Sequence, residues 1–193
     1  MPGRTRASAL AIVARWVLLL WVIFAVDVGL RVVGIDLVQW GGLWPREPRG
    51  LIGVLTCHVL HADLWHLLSN SIALLVLGTV ACWYSRRLTA LAALSSALIA
   101  GLFTWLIARP GLPHVGASGI VFGLVGFLVA NGLFRRSWGA ILLALPFAVL
   151  LSGLIPGMLP SASNRAQMIS WQMHLGGFLG GVWASWRLRR RAA

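Results

Sequence analysis

The sequence predicts an all-α polytopic membrane protein with six transmembrane helices, folded as one domain over residues 1–193. Hydrophobic residues make up 59% of the chain and charged residues only 10%, whereas soluble domains are about 45–50% apolar and about 25% charged. Because a membrane-spanning helix needs about 20 mostly apolar residues, a chain of this length with short loops accommodates about six such helices.

Six apolar segments are predicted as spanning helices. In chain order they are Ala9–Leu30, Trp65–Tyr84, Leu88–Ile107, Ala117–Leu133, Trp138–Ile155 and Trp171–Trp186. Two long connections, Val32–Leu64 and Pro156–Ser170, are rich in the Gly and Pro residues that favour loops. A cleaved signal peptide is the alternative for the first segment, but the apolar run is long and no small-residue cleavage site follows it. We therefore expect a retained first helix.

Arginine distribution predicts the orientation of these helices. The net charge of +12 comes from 16 basic residues, all arginine, and four acids. The arginines lie in clusters between apolar segments and form no stripe interleaved with exposed aromatics, which argues against nucleic-acid binding. With both termini in the cytoplasm, five arginines face outward, at positions 31, 46, 49, 109 and 165, and eleven face inward. The positive-inside rule favours this orientation, with both long connections outside.

Polar residues on the second predicted helix need an explanation, because polar groups at membrane depth are costly. His66 and Asn70 are four residues apart and therefore share one helix face. His61 lies just before the helix begins. By themselves, these residues fit equally well a set of interfacial histidines with an asparagine that links two helices.

A second group of residues, Gly116-Ala117-Ser118-Gly119, begins the fourth predicted helix. The small neighbours leave the Ser118 hydroxyl accessible and allow another backbone to approach closely. Free backbone N–H groups cluster at a helix start and suit a developing oxyanion. The alternative interpretation is a serine that only caps the helix.

The third group lies on the sixth predicted helix, where His174 is followed by Gly177 and Gly181. Small residues at this spacing let a neighbouring helix approach closely. A nucleophilic serine needs a base within hydrogen-bond reach. Close packing of the fourth helix against the sixth would supply that geometry for Ser118 and His174.

Taken together, these motifs resemble the rhomboid family of intramembrane serine proteases. His-x-x-x-Asn, Gly-x-Ser-Gly and His followed by Gly-x-x-x-Gly occur in the family's order across nearly the whole chain. The resemblance implies an endopeptidase that cleaves membrane proteins in or near their transmembrane segments through an acyl-enzyme. Ser118 would be the nucleophile and His174 the base, with the oxyanion stabilised by His66, Asn70 and the Ser118 backbone N–H.

The resemblance also assigns supporting roles. Phe122, one turn after Ser118, matches the position of an aromatic residue that stacks on the catalytic histidine, and His61 matches a further family histidine. The supporting residues are His61, Gly116, Gly119, Phe122, Gly177 and Gly181. No metal or cofactor is implied, and the expected partners are membrane-protein substrates and the lipid bilayer.

Two positions depart from the family pattern. The family often has Trp-Arg in the first outward loop, whereas here Pro45 separates Trp44 from Arg46. The family often has a glutamate near the cytoplasmic end of the second helix, where this chain has Cys82. Both features bear on loop anchoring and stability more than on chemistry. Cys82 and Cys57 bracket one helix and lie too far apart for a disulfide.

Two other functions fit a chain of this kind. A catalytically silent rhomboid-like protein that binds membrane clients would be indicated by loss of Ser118 or His174, and both are present. A small transporter or channel would need ion-coordinating residues, but the four acids all lie in or near the first outward connection, at Asp27, Asp36, Glu47 and Asp63.

The acidic residues have simpler expected roles. Asp27 pairs with Arg31 four residues later on the first helix, and Asp63 caps the second helix. No acid lies near Ser118 or His174 in sequence, so we expect a Ser-His dyad without a carboxylate behind the base.

Overall fold

The computed structural model describes residues 3–135, 157–160 and 169–189. The predicted fifth helix, Trp138–Ile155, and most of the connection Pro156–Ser170 lie outside the described residues. Within the described part every regular element is helical, and the only β-type contact there is an isolated antiparallel bridge between Leu43 and His114.

The described residues form five long α-helices, two short ones and two 3₁₀ turns at Pro48–Leu51 and Cys57–Val59. The α-helices are α1 (Gly3–Arg31), α2 (Leu37–Gly41), α3 (Gly53–Thr56), α4 (Leu64–Tyr84), α5 (Arg86–Ile107), α6 (Ser118–Arg135) and α7 (Trp171–Arg189). The five long helices match the first four and the sixth predicted helices. Their ends differ from the predicted ends by a few residues, because caps and local backbone geometry set helix ends more than hydrophobicity does.

Length and composition make the chain an integral membrane protein. Three helices, α1 from Ser8 onward, α4 and α5, are long and apolar enough to cross a bilayer, and Ser118–Phe134 of α6 is a shorter apolar helix. The last helix, α7, is less apolar because it carries Gln172, His174 and four glycines. It packs against α5 and α6, so much of its surface contacts protein and need not be apolar.

Facing glycines bring the backbones of α6 and α7 into direct contact. A Cβ added at Gly177 would overlap the carbonyl oxygen of Gly119, and one added at Gly181 would overlap that of Gly123. Gly126 has the same relation to the carbonyl oxygen of Phe178. The close approach predicted from the Gly-x-x-x-Gly spacing is therefore present, with glycines on both helices.

An ion pair stabilises the C-terminal end of α1. The carboxylate of Asp27, which is 2% exposed, accepts hydrogen bonds from Arg31 Nη2 at 2.6 Å and from the backbone N–H of Leu37 at 2.7 Å. The predicted Asp27–Arg31 pair is confirmed, and the contact to Leu37 extends it by fixing the start of α2. The pair therefore holds the first turn of the connection between α1 and α4 against α1.

The first long connection, between α1 and α4, is more ordered than its Gly- and Pro-rich sequence suggests. Besides its short helices, Arg46 bonds through its backbone N–H to the Trp105 carbonyl at 3.0 Å and through Nη2 to the Ala108 carbonyl at 3.1 Å. Trp105 Nε1 donates in return to the Glu47 carbonyl at 3.0 Å. The altered Trp-Pro-Arg sequence therefore still anchors this connection to the C-terminal end of α5.

The glycine contact predicts a specific loss of stability. Gly177→Ala should lower the free energy of unfolding by about 1–3 kcal/mol, because overpacking a tight contact forces the backbone to shift. Gly29→Ala is the matched control: Gly29 is also helical, but a Cβ there meets nothing within 4 Å. That variant should be neutral or gain up to about 1 kcal/mol from helix propensity. Equilibrium unfolding in mild detergent measures the free energy of unfolding of both variants. Equal values for Gly177→Ala and Gly29→Ala would contradict the close contact between α6 and α7.

Candidate active site

Ser118 is the first residue of α6 and is partly buried. The N–H groups of the first helical residues have no intrahelical acceptor, so the Ser118 hydroxyl lies beside backbone donors. The preceding turn is held in place by a hydrogen bond from the Gly116 N–H to the Cys57 carbonyl at 2.9 Å. The predicted position of Ser118, where a tight turn enters a helix, is confirmed.

The turn before Ser118 requires glycine at position 116 for two reasons. Gly116 has φ +118°, a conformation that residues with a Cβ rarely adopt. A Cβ at this position would also overlap the imidazole ring of His66. The His66 ring therefore lies directly against the backbone two residues before Ser118, which brings the α4 histidine to the start of α6.

His61 also contacts the turn that precedes Ser118. It is 1% exposed, and its Nε2 accepts a hydrogen bond, long at 3.5 Å, from the Ala117 N–H. Its ring meets that of His66 edge to face, with centroids 5.2 Å apart. Burial, together with the neighbouring His66, lowers the pKa of His61 to about 3. His61 is therefore neutral at neutral pH, as an acceptor of a backbone N–H must be.

Asn70 is buried one turn after His66 on α4. It is 5% exposed, and its Nδ2 has no hydrogen-bond partner among the described residues. An unpaired buried amide donor is costly and therefore uncommon in folded proteins. Such a donor is chemically suited to an oxyanion that exists only during a reaction.

The His174 ring is held on two sides. Its Nδ1 hydrogen-bonds to the Gly157 carbonyl at 3.0 Å, and its face stacks on Phe122 with centroids 4.0 Å apart and planes inclined by 10°. A carbonyl oxygen can only accept, so Nδ1 carries the proton. In the neutral imidazole the lone pair is then on Nε2, which is the atom that can act as a base.

Helix packing brings Ser118 and His174 to facing turns of α6 and α7. Phe122, which stacks on His174, is one turn after Ser118, and a Cβ at Gly119 would lie 3.1 Å from Met173, the residue before His174. No direct hydrogen bond joins Ser118 to His174 among the contacts of the described residues. Catalytic hydrogen bonds are often long in unliganded enzymes and shorten when substrate binds.

Other polar residues of the described part have structural roles. Asp63 accepts a hydrogen bond from the His66 N–H at 2.8 Å and caps α4, as predicted. His58 is 2% exposed and bonds through Nε2 to the Ala97 carbonyl of α5 at 3.0 Å. Cys57 and Cys82 are free thiols. Among the described ranges, no three His, Cys, Asp or Glu side chains are grouped to hold a metal ion.

Sequence reasoning did not identify the Gly157 carbonyl as a partner of His174. Every residue has a backbone carbonyl, so no pattern of residue types could have indicated which one reaches the ring. The Gly-Pro-rich composition of the Pro156–Ser170 connection predicted only a loop.

Comparison with known proteins gives the class to which this fold and these residues belong. The family model described as the Rhomboid domain matches residues 48–191. The chain therefore belongs to the rhomboid family.

Similar proteins occur in mycobacteria and in a plant. An uncharacterized protein of Mycobacterium tuberculosis (strain ATCC 25618 / H37Rv) is 37% identical over 154 residues, which is 76% of this chain and 63% of that protein. One from Mycobacterium leprae is 37% identical over 169 residues, 80% of this chain and 60% of that protein. RHOMBOID-like protein 1 of Arabidopsis thaliana is 33% identical over 133 residues, 66% of this chain and 32% of that protein. The chain thus spans less than two thirds of the length of these relatives.

Gly116 and Gly111 together provide a test of the His66 contact. Both have nearly the same positive φ, +118° and +119°, but a Cβ at Gly111 meets nothing within 4 Å. Alanine at either position should cost similar backbone strain, whereas only Gly116→Ala should displace His66. Because a ~1 Å misplacement can cost ~100-fold in rate, Gly116→Ala should slow the reaction of Ser118 with a fluorophosphonate at least tenfold.

Gly111→Ala should react at nearly the wild-type rate. Equal rates for the two variants would mean that His66 does not act at Ser118.

Proposed function

We propose that the chain is an intramembrane serine endopeptidase that cleaves membrane proteins in or near their transmembrane segments. The observation that supports this most is the state of His174: its Nδ1 proton is engaged by a carbonyl, and its ring stacks on the helix that begins with Ser118. Only Nε2 then has a lone pair for the serine proton. A silent client-binding protein would have no need for such a ring orientation.

In the first half of the reaction, Ser118 Oγ attacks the carbonyl carbon of the scissile peptide bond while His174 Nε2 takes the hydroxyl proton. A tetrahedral intermediate forms with the negative charge on the former carbonyl oxygen. His174 then gives the proton to the leaving nitrogen, and the carbon–nitrogen bond breaks. The product is an ester between Ser118 and the acyl half of the substrate.

In the second half, water attacks the ester carbonyl and His174 Nε2 takes a proton from that water. Collapse of the second intermediate breaks the bond to Ser118 Oγ, which recovers its proton from His174. The new carboxyl terminus leaves, and the enzyme returns to its starting state. No metal or cofactor takes part in these proposed reaction steps.

The oxyanion would be stabilised by groups from two helices. Asn70 Nδ2, the His66 ring and the Ser118 backbone N–H are the proposed donors. The unpaired state of Asn70 Nδ2 among the described residues supports this role, because the donor requires no rearrangement before it binds the oxyanion. The overlap that a Cβ at Gly116 would make with His66 supports the same assignment.

The membrane arrangement follows from the proposed chemistry and the arginine distribution. We propose six spanning helices in one domain, the fifth within Trp138–Ile155, with both termini in the cytoplasm. The site then opens to the outward side, from which water would reach Ser118. Similarity to mycobacterial proteins supports a bacterial inner membrane. The surrounding partners are lipid and the membrane-protein substrates.

Replacement of the two dyad residues tests the proposal. The purified protein in liposomes should cleave members of a panel of single-span membrane proteins, and Ser118→Ala or His174→Ala should each abolish cleavage. Ser69→Ala, which removes an exposed hydroxyl that bonds to the His66 carbonyl, is the control and should retain activity. Cleavage that persists in both dyad variants would exclude this mechanism.

Asn70 has a matched control on another helix. Asn131 of α6 is also 5% exposed with an unpartnered Nδ2 among the described residues, but it lies 13 residues, or about 20 Å, beyond Ser118 along α6. Asn70→Ala should lower turnover by about 10²–10³-fold, the usual loss of one oxyanion donor. Asn131→Ala should change turnover little. A similar effect of both substitutions would indicate general destabilisation and not a role at the oxyanion.

A further inference from the structure

A side-chain hydrogen bond links the two segments that precede Ser118 and His174. His114 Nδ1 lies 2.8 Å from Ser170 Oγ, although the two residues are 56 positions apart. His114 is four residues before Ser118, and Ser170 is four residues before His174. The bond therefore crosses the outward end of the α6–α7 pair, just beyond the proposed catalytic residues.

Ser170 also caps α7. The Met173 N–H donates to Ser170 Oγ at 3.3 Å, and the His174 N–H donates to the Ser170 carbonyl at 3.2 Å. Burial lowers the pKa of His114 to about 4, so its imidazole is neutral at neutral pH and Nδ1 can accept the Ser170 hydroxyl proton. The result is a chain of hydrogen bonds from the Met173 N–H through Ser170 to His114, in which each bond strengthens the next.

The backbone of His114 is itself held by the first long connection, between α1 and α4. Its backbone forms two hydrogen bonds with Leu43, from Leu43 N–H at 3.0 Å and to the Leu43 carbonyl at 2.8 Å. Leu43 is fully buried and packs in one hydrophobic cluster with Met173. The backbone that carries the His114 side chain is therefore fixed by its hydrogen bonds to a buried residue.

We propose that His114 is a positioning residue. Its hydrogen bond to Ser170 fixes the start of α7, and this fixes the position of His174 relative to Ser118. This inference rests on the proposed function, since it assumes that Ser118 and His174 react together. It does not require His114 to touch the substrate. The sequence alone offered no indication of this role, because His114 lies outside the three motif groups.

Two substitutions of His114 can distinguish a role of its Nδ1 atom from a role of its Nε2 atom. An Asn side chain places a polar atom where His has Nδ1, whereas a Gln side chain places one near Nε2. A fluorophosphonate needs no bound substrate segment to react with a nucleophilic serine, so its rate of reaction with Ser118 would measure the alignment of Ser118 and His174. We expect His114→Ala and His114→Gln to slow this reaction about tenfold or more, and His114→Asn to restore most of the wild-type rate.

Ser170→Gly provides the second, independent variant, since glycine is tolerated at a helix N-cap with a loss of only a few tenths of a kcal/mol. It should slow the reaction as much as His114→Ala, and the double variant should be no slower than either single one. Additive losses, equal rates for the Asn and Gln variants, or a wild-type rate in Ser170→Gly would overturn the inference. A wild-type protein that does not react with the probe at all would instead count against the proposed function.

Discussion

The contact between the backbones of α6 and α7 is the constraint on which the rest of the structure depends. Glycines on both helices remove the side chains that would otherwise separate them, as at Gly119 and Gly177. Without a hydrophobic driving force between helices in lipid, such close packing is a main source of association. It also positions the proposed catalytic pair, because Ser118 directly precedes Gly119 and His174 is three residues before Gly177, and these two glycines are in contact.

In the proposed site, neutral groups orient His174, whereas a soluble serine protease uses a charged group for this role. Soluble serine proteases orient the catalytic histidine with a buried aspartate, but a carboxylate at membrane depth is costly. In this chain the Gly157 carbonyl engages His174 Nδ1 and the Phe122 ring supports its face. The acid nearest to a site residue, Asp63, is used to cap α4. The predicted absence of a carboxylate behind the base stays a proposal.

Local patterns predicted the parts of this structure that depend on one helix at a time. The Gly177–Gly181 spacing and the Asp27–Arg31 pair follow from helix periodicity, the Asp63 cap follows from the free N–H groups at a helix start, and each is present. The sequence could not predict contacts between distant segments that carry no residue-type signature. The Gly157 carbonyl beside His174 and the bond between His114 and Ser170 are of this kind, since only the packed tertiary structure brings their segments together.

The central claim is that residues from α4, α6 and α7 form one site around Ser118. The most direct measurement is an experimental structure of the protein after reaction with a fluorophosphonate. We predict a phosphonyl group bonded to Ser118 Oγ, with its free oxygen within hydrogen-bond distance of Asn70 Nδ2 and the Ser118 N–H and with His174 still stacked on Phe122. An unmodified Ser118, or an adduct whose oxygen points away from α4, would contradict the account.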